Sequence, residues 1–155
     1  KVMLKNLDPL LTPELLYVLR AMGHGDELIL ADCNFPSDSI ASETTYGNLI
    51  RLDGNTISEA ADAIMSVLPL DSFVDNAVLR MEVVGNPAEV LEVHKDVQQS
   101  VDKFSEGNWP MGSIERHAFY DRAKKAYAVV STSERRPYGC FVLVKGIIAP
   151  DGNVG

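Results

Sequence analysis

Gly23-His24-Gly25-Asp26, with Asp32 eight residues after the histidine, is the stretch of this chain best suited to acid–base chemistry. A histidine between two glycines has no bulky neighbour in sequence and an adaptable backbone, so its ring can be presented to a ligand. Histidine is also the side chain whose unperturbed pKa lies near neutrality, so it can both give and take a proton. Asp26 and Asp32 could orient that ring or a bound hydroxylated ligand. Taken by itself, the tetrapeptide fits a helix-ending turn slightly better, and both readings stay open on the local pattern.

Arg116, Tyr120 and Tyr138 join His24, Asp26 and Asp32 as candidates, because all six sit at expected element ends or turns. Functional groups concentrate there on a rigid scaffold. Each has a structural alternative: a surface ion pair for Arg116, core packing for Tyr120, turn packing for Tyr138. Other polar residues carry structural readings. His94 falls mid-helix among apolar residues, His117 adjoins a helix start, and Asp8 and Asp71 lie in proline-containing turns. Trp109 could stack on a sugar face but reads better as a loop anchor. The sequence has no Walker-type phosphate loop, GxGxxG, HExxH or GxSxG pattern. Cys33 and Cys140 lack CxxC spacing, so neither a disulfide framework nor a zinc site is expected.

These residues need elements to position them. Thr12-Pro13-Glu14 predicts a helix start, and Leu15, Leu16, Val18, Leu19 and Met22 supply its apolar face, with Gly23 as the stop. Glu27 to Asp32 reads as a buried strand ending in a polar residue, and Pro36 turns the chain away from it. Leu49 to Leu52 is a strand closed by Asp53-Gly54. Thr56-Ile57-Ser58-Glu59 has capping-box form and predicts a helix through about Val67. Ala77 to Val84 is a strand, and Asn86-Pro87 opens a longer helix carrying Val90, Leu91, His94, Val97 and Val101 near one face. Residues 104–112 read as loop, Ile114 to Arg116 as a short strand, and Ala118 to about Lys125 as a helix. Tyr127 to Ser131 and Phe141 to Val144 are strands flanking a turn at Arg135 to Gly139. Helices interleaved with short strands imply an α/β fold: a single domain over residues 1–155, with a mixed central sheet flanked by helices.

Composition narrows the function classes. The 155 residues are 46% hydrophobic and 23% charged, an ordinary globular balance, with a net charge of −8. That charge argues against nucleic acid and against anionic membrane surfaces, both of which need Lys and Arg. With no signal-like start and no apolar run near ~20 residues, the expected location is cytoplasmic.

The ordered set of segments resembles the D-ribose pyranase and fucose mutarotase superfamily. The resemblance runs through Leu10-Leu11-Thr12-Pro13-Glu14-Leu15-Leu16, Met22-Gly23-His24-Gly25-Asp26-Glu27 and Ala31-Asp32-Cys33-Asn34-Phe35-Pro36. It continues through Arg51-Leu52-Asp53-Gly54, Leu68-Pro69-Leu70-Asp71, Glu115 to Ala123 and Tyr138 to Gly146, with residues 85–112 poorly matched. It implies a proton-shuttling role for His24 and sugar-binding roles for Asp32, Arg116 and the turn Tyr138-Gly139-Cys140. Arg116 and Tyr120 look like the fucose branch. Cys140 departs from the family's usual Asn, and a thiol cannot replace an amide that both donates and accepts.

The resemblance further implies an isomerase that interconverts the α and β anomers of L-fucose without a metal or other cofactor. It implies a ring-like homo-oligomer whose sites are completed by a neighbouring chain. Two alternatives stand beside it: a pyranase acting on ribose, and a sugar-binding or regulatory protein without catalysis.

Overall fold

The structure, a computed structural model, describes residues 3–154. Local chemistry sets the first helix, α1 (Pro13–Ala21): the Thr12 hydroxyl accepts from the Leu15 N–H at 3.2 Å and Pro13 occupies the first turn. Its buried stripe is Leu15, Val18 and Leu19. The chain continues through β1 (Glu27–Ala31), α2 (Ser37–Ala41), β2 (Ile50–Leu52) and α3 (Ile57–Met65). It then forms β3 (Val78–Met81), α4 (Glu92–Phe104), β4 (Gly112–Ile114), α5 (Arg116–Lys124), β5 (Ala128–Thr132) and β6 (Phe141–Val144).

The six strands form one mixed sheet in the order β2-β5-β1-β6-β3-β4. β1 pairs parallel with β5 and antiparallel with β6, which in turn pairs antiparallel with β3. β2 joins β5 and β4 joins β3 in parallel at the two edges. β3, β5 and β6 are buried at every residue, and β1 at all but Glu27. Such strands need cover on both faces. One packed group joins α2, α5 and β5; another joins α3, α4 and β1. The mixed α/β architecture is thus the one the sequence predicts.

After the turn at Pro36 the chain enters the short helix α2. Two local expectations need correction. The long helix opens at Glu92, not at Asn86, because Gly85 turns the backbone into the left-handed region (φ +81°) and residues 86–91 form a turn. Arg116 is not the end of a strand. The Glu115 carboxylate accepts from the His117 and Ala118 N–H groups, so Glu115 caps α5 and Arg116 is its first residue. Gly23 follows the Met22 C-cap of α1, where the sequence places the stop, and the glycine of this turn that takes a left-handed backbone is Gly25 (φ +86°).

Thr56 and Glu59 form the reciprocal capping box that their spacing predicts. Replacing Thr56 with Ala removes an acceptor from an exposed cap, with an expected cost of about 1 kcal/mol. Chemical denaturation checks it: the midpoint falls and the slope stays unchanged.

Candidate active site

The carboxyl end of β1 delivers Asp32 into a buried position (3% exposed). Its Oδ1 accepts from the Asn34 and Phe35 N–H groups at 2.9 and 3.0 Å, which shapes the following turn. Its Oδ2 accepts from the Gly139 N–H at 3.0 Å. On the far side of that same peptide unit, the Tyr138 carbonyl accepts from His94 Nε2 at 3.0 Å. The His94 Nδ1 accepts from the Leu91 N–H at 3.0 Å, so the ring is a neutral Nε2–H tautomer with both nitrogens engaged. The Tyr138–Gly139 peptide is therefore clamped from both sides, by His94 at its oxygen and Asp32 at its nitrogen. The clamp accompanies a left-handed tyrosine (Tyr138, φ +61°), a conformation that costs roughly 1–2 kcal/mol for a side chain with a Cβ. Gly139 is tightly enclosed, and an added Cβ there would meet Val93, Arg136 and Asp32 at 3.2–3.4 Å.

Around the clamp lie the other sugar-binding candidates. Arg116 donates to the Tyr120 hydroxyl at 3.3–3.4 Å and spans its ring with the guanidinium 5.4 Å from the centroid. Phe35 stands edge-on to Tyr120, with centroids 5.3 Å apart. The Tyr138 hydroxyl accepts from the Val84 N–H at 3.3 Å. Cys140 is buried beside Asp32, and burial together with that carboxylate pushes its thiol well above its ordinary pKa. A cavity of about 570 Å³ opens on the other side of Asp32, lined by Cys33, Ser37, Arg51, Asp53 and Thr132 among others; Arg116, Tyr120 and Tyr138 lie outside its lining. Thus Asp32, Arg116, Tyr120, Tyr138, Gly139 and Cys140 gather at one end of the sheet.

His24 sits at the other end. It precedes β1, while Asp32 follows it, and the five residues of the strand alone rise about 17 Å. Its Nε2 bonds Asp71 Oδ1 at 3.0 Å, and its ring meets the edge of Phe73 with centroids 5.0 Å apart. Asp71 is 3% exposed, whereas the His24 side chain is 41% exposed. A carboxylate on Nε2 fixes the proton there and leaves Nδ1 carrying the lone pair. Asp26 makes no hydrogen bond to the ring: its Oδ2 accepts from the Gly23 N–H at 2.7 Å and braces the turn. Gly25 ties the turn to the sheet through the Lys145 carbonyl at 2.8 Å.

Asp71, which holds the His24 ring, is a residue that the sequence reading assigned to a turn. It does serve one, since Oδ1 also accepts from the Phe73 N–H at 3.0 Å. Its separation of 47 residues from His24 hides the pairing from any local pattern. The position of Gly146 holds the loop in place: an added Cβ would come 2.2 Å from the Leu70 carbonyl oxygen. His94 was likewise read as structural, and no sequence feature points to its role in holding Tyr138.

Residues 5–148 match the RbsD / FucU transport protein family. The chain belongs to this family. It is 44% identical over 154 residues to the fucose mutarotase of Danio rerio, covering 97% of each chain. It superposes on the structure of the protein Atu2016 with a TM-score of 0.92 at 50% identity, over 96% of this chain and 99% of the other. It also superposes on the fucose mutarotase of Streptococcus pneumoniae, solved in complex with L-fucose. There the TM-score is 0.83 at 38% identity, over 94% of this chain and 100% of the other. Among the described residues, no helix of this RbsD / FucU chain is long and apolar enough to cross a membrane.

The His94 clamp gives this family member an acid-sensitive support. Burial lowers the His94 pKa from its ordinary value near 6.5. Below that value the unfolded chain takes up a proton that the folded chain refuses, so stability falls as the pH drops. Unfolding free energy of the wild type is expected to decline below pH ~6.5 more steeply than that of His94→Gln. His94→Ala strands the Tyr138 carbonyl and the Leu91 N–H and is expected to cost at least about 2 kcal/mol at pH 7. Equilibrium denaturation over a pH series checks both.

Proposed function

We propose that this protein is an L-fucose mutarotase, interconverting the α and β anomers of the free sugar. The relatives that resemble it over nearly their whole length carry that name, and one binds L-fucose in its structure. The observation that carries the chemistry is the His24–Asp71 pair, a half-exposed imidazole held at Nε2 by a buried carboxylate.

The reaction moves one proton and transfers no electrons between molecules. His24 Nδ1 takes the proton from the anomeric hydroxyl. The C1–O1 bond becomes a carbonyl as the C1–O5 bond breaks, and the imidazolium returns its proton to O5. The C1–C2 bond of the open aldehyde rotates, and the same steps in reverse close the ring on the other face. Such positioned acid–base groups supply on the order of 10²–10⁴ in rate.

Asp32, Arg116, Tyr120 and the Tyr138–Gly139–Cys140 turn hold the sugar in this reading. Arg116 and the tyrosine hydroxyls offer donors to ring hydroxyls, and the Phe35–Tyr120 edge offers apolar contact. Cys140 supports the turn through its backbone and its place beside Asp32, since its buried thiol cannot do an amide's work. The site is shared between subunits: His24 of one copy serves the Asp32 and Arg116 cluster of another. The strand's length between His24 and Asp32 supports this, because one copy cannot bring both to a single sugar. The enzyme is a homo-oligomer, working on free monosaccharide in the cytoplasm.

NMR saturation transfer between anomers checks the reading, with L-fucose and with D-ribose. Fucose exchange is expected to accelerate with wild-type protein and to fall about 10²-fold or more in His24→Gln. Asp71→Asn lowers the rate less, because the ring loses its fixed tautomer but not its proton. Exchange of ribose ring forms in place of fucose, or of neither sugar, would contradict the proposal.

A further inference from the structure

Arg80, in the middle of β3, is 6% exposed, yet no carboxylate of the described residues lies within ion-pair distance of it. This is unusual in a chain with 22 acidic residues. Its one hydrogen bond runs from Nη2 to the Pro87 carbonyl at 3.1 Å, and its buried Nη1 has no acceptor among the described residues. A guanidinium cannot shed its charge to escape burial. A buried cation without a counter-charge is costly, and buried charges are ordinarily paired.

Arg80 lines a cavity of about 390 Å³ together with Lys95, Gln98, Gln99, Val90 and Met111, and with His94 behind them. No Asp or Glu contributes to that lining. Most neighbouring polar groups are already committed. His94 is engaged at both nitrogens, and Gln98 donates to Asp102 and the Trp109 carbonyl while accepting from the Met111 N–H. Glu89 is engaged by Asn86 at 3.4 Å. The donors left over are those of Arg80, of the Gln99 amide and of Lys95, whose 3.3 Å pair with Glu92 is exposed and therefore weak. Two cations, no acid and amide walls make a receptor for a small anion. The planar fork of a guanidinium fits the paired oxygens of a phosphate or carboxylate.

We propose that this cavity binds a small oxyanion, a phosphate or carboxylate group, on the Arg80 guanidinium, with Lys95 closing over it from the surface. It adjoins the sugar site through His94, which lines the cavity and holds the Tyr138 carbonyl, but shares with it none of the proposed sugar-binding residues and does not depend on the fucose reading.

The test follows the Arg80 Nε–Hε resonance by NMR and the melting temperature at constant ionic strength. The protein is titrated with inorganic phosphate in one arm, acetate in a second and chloride as control. The expected result is a saturable shift with phosphate or acetate but not chloride, and a rise in melting temperature that follows occupancy. The arm that saturates identifies the oxyanion. Arg80→Met is expected to weaken binding at least tenfold and to abolish that rise. Arg80→Lys, which keeps a cation and loses the fork, guards against a misfolded methionine variant and is expected to bind several-fold more weakly. The proposal is overturned by linear shifts indistinguishable from chloride, or by saturable binding that neither substitution weakens.

Discussion

One strand governs the arrangement of this protein. β1 runs through the centre of the sheet with His24 before it and Asp32 after it, and a strand cannot shorten. Everything that holds the sugar in our reading gathers at the Asp32 end. Everything that tunes the histidine gathers at the His24 end: Asp71 on Nε2, Phe73 against the ring and Lys145 behind the turn. The fold thus keeps His24 and the Asp32 cluster at opposite ends of one strand. In our reading the two are half-sites that become one site when shared between copies, which would tie catalysis to assembly.

Each half-site is rigid for its own reason. At the sugar end, His94 and Asp32 grip the two polar atoms of a single peptide unit and support a tyrosine in a left-handed conformation. Strained backbone persists only where its surroundings over-determine it, and such positions cluster at functional sites. At the histidine end, a buried carboxylate holds a half-exposed ring, so one nitrogen is fixed while the other makes no hydrogen bond among the described residues. Such preorganisation lets an acid–base group act without first being oriented.

The sequence made the elements easier to read than their relations. The Thr12-Pro13 start and the Thr56–Glu59 capping box were legible because each rests on contacts within a few residues, and the Phe141–Val144 strand because it is a short apolar run after a turn, although its partners β1 and β3 lie far away in sequence. The start of α5 was misread because glutamate is a less common cap than Ser, Thr, Asp or Asn, so Arg116 looked like the end of a strand. Asp71 was taken for a turn residue because its partner lies 47 positions away, and His94 for core because its bond to Tyr138 spans 44. The candidate residues were visible by type and position. Their division between two ends of the sheet was not, since no periodicity reports which end of a strand faces which neighbour.

The most direct test of a shared site is subunit complementation. His24→Gln and Arg116→Ala proteins, each deficient in anomer exchange, are unfolded together and refolded as mixed oligomers. Our account expects exchange to return, because some interfaces pair an intact His24 with an intact Arg116 from different chains. Mixed oligomers as inactive as either parent, or a wild-type monomer that is fully active, would contradict it.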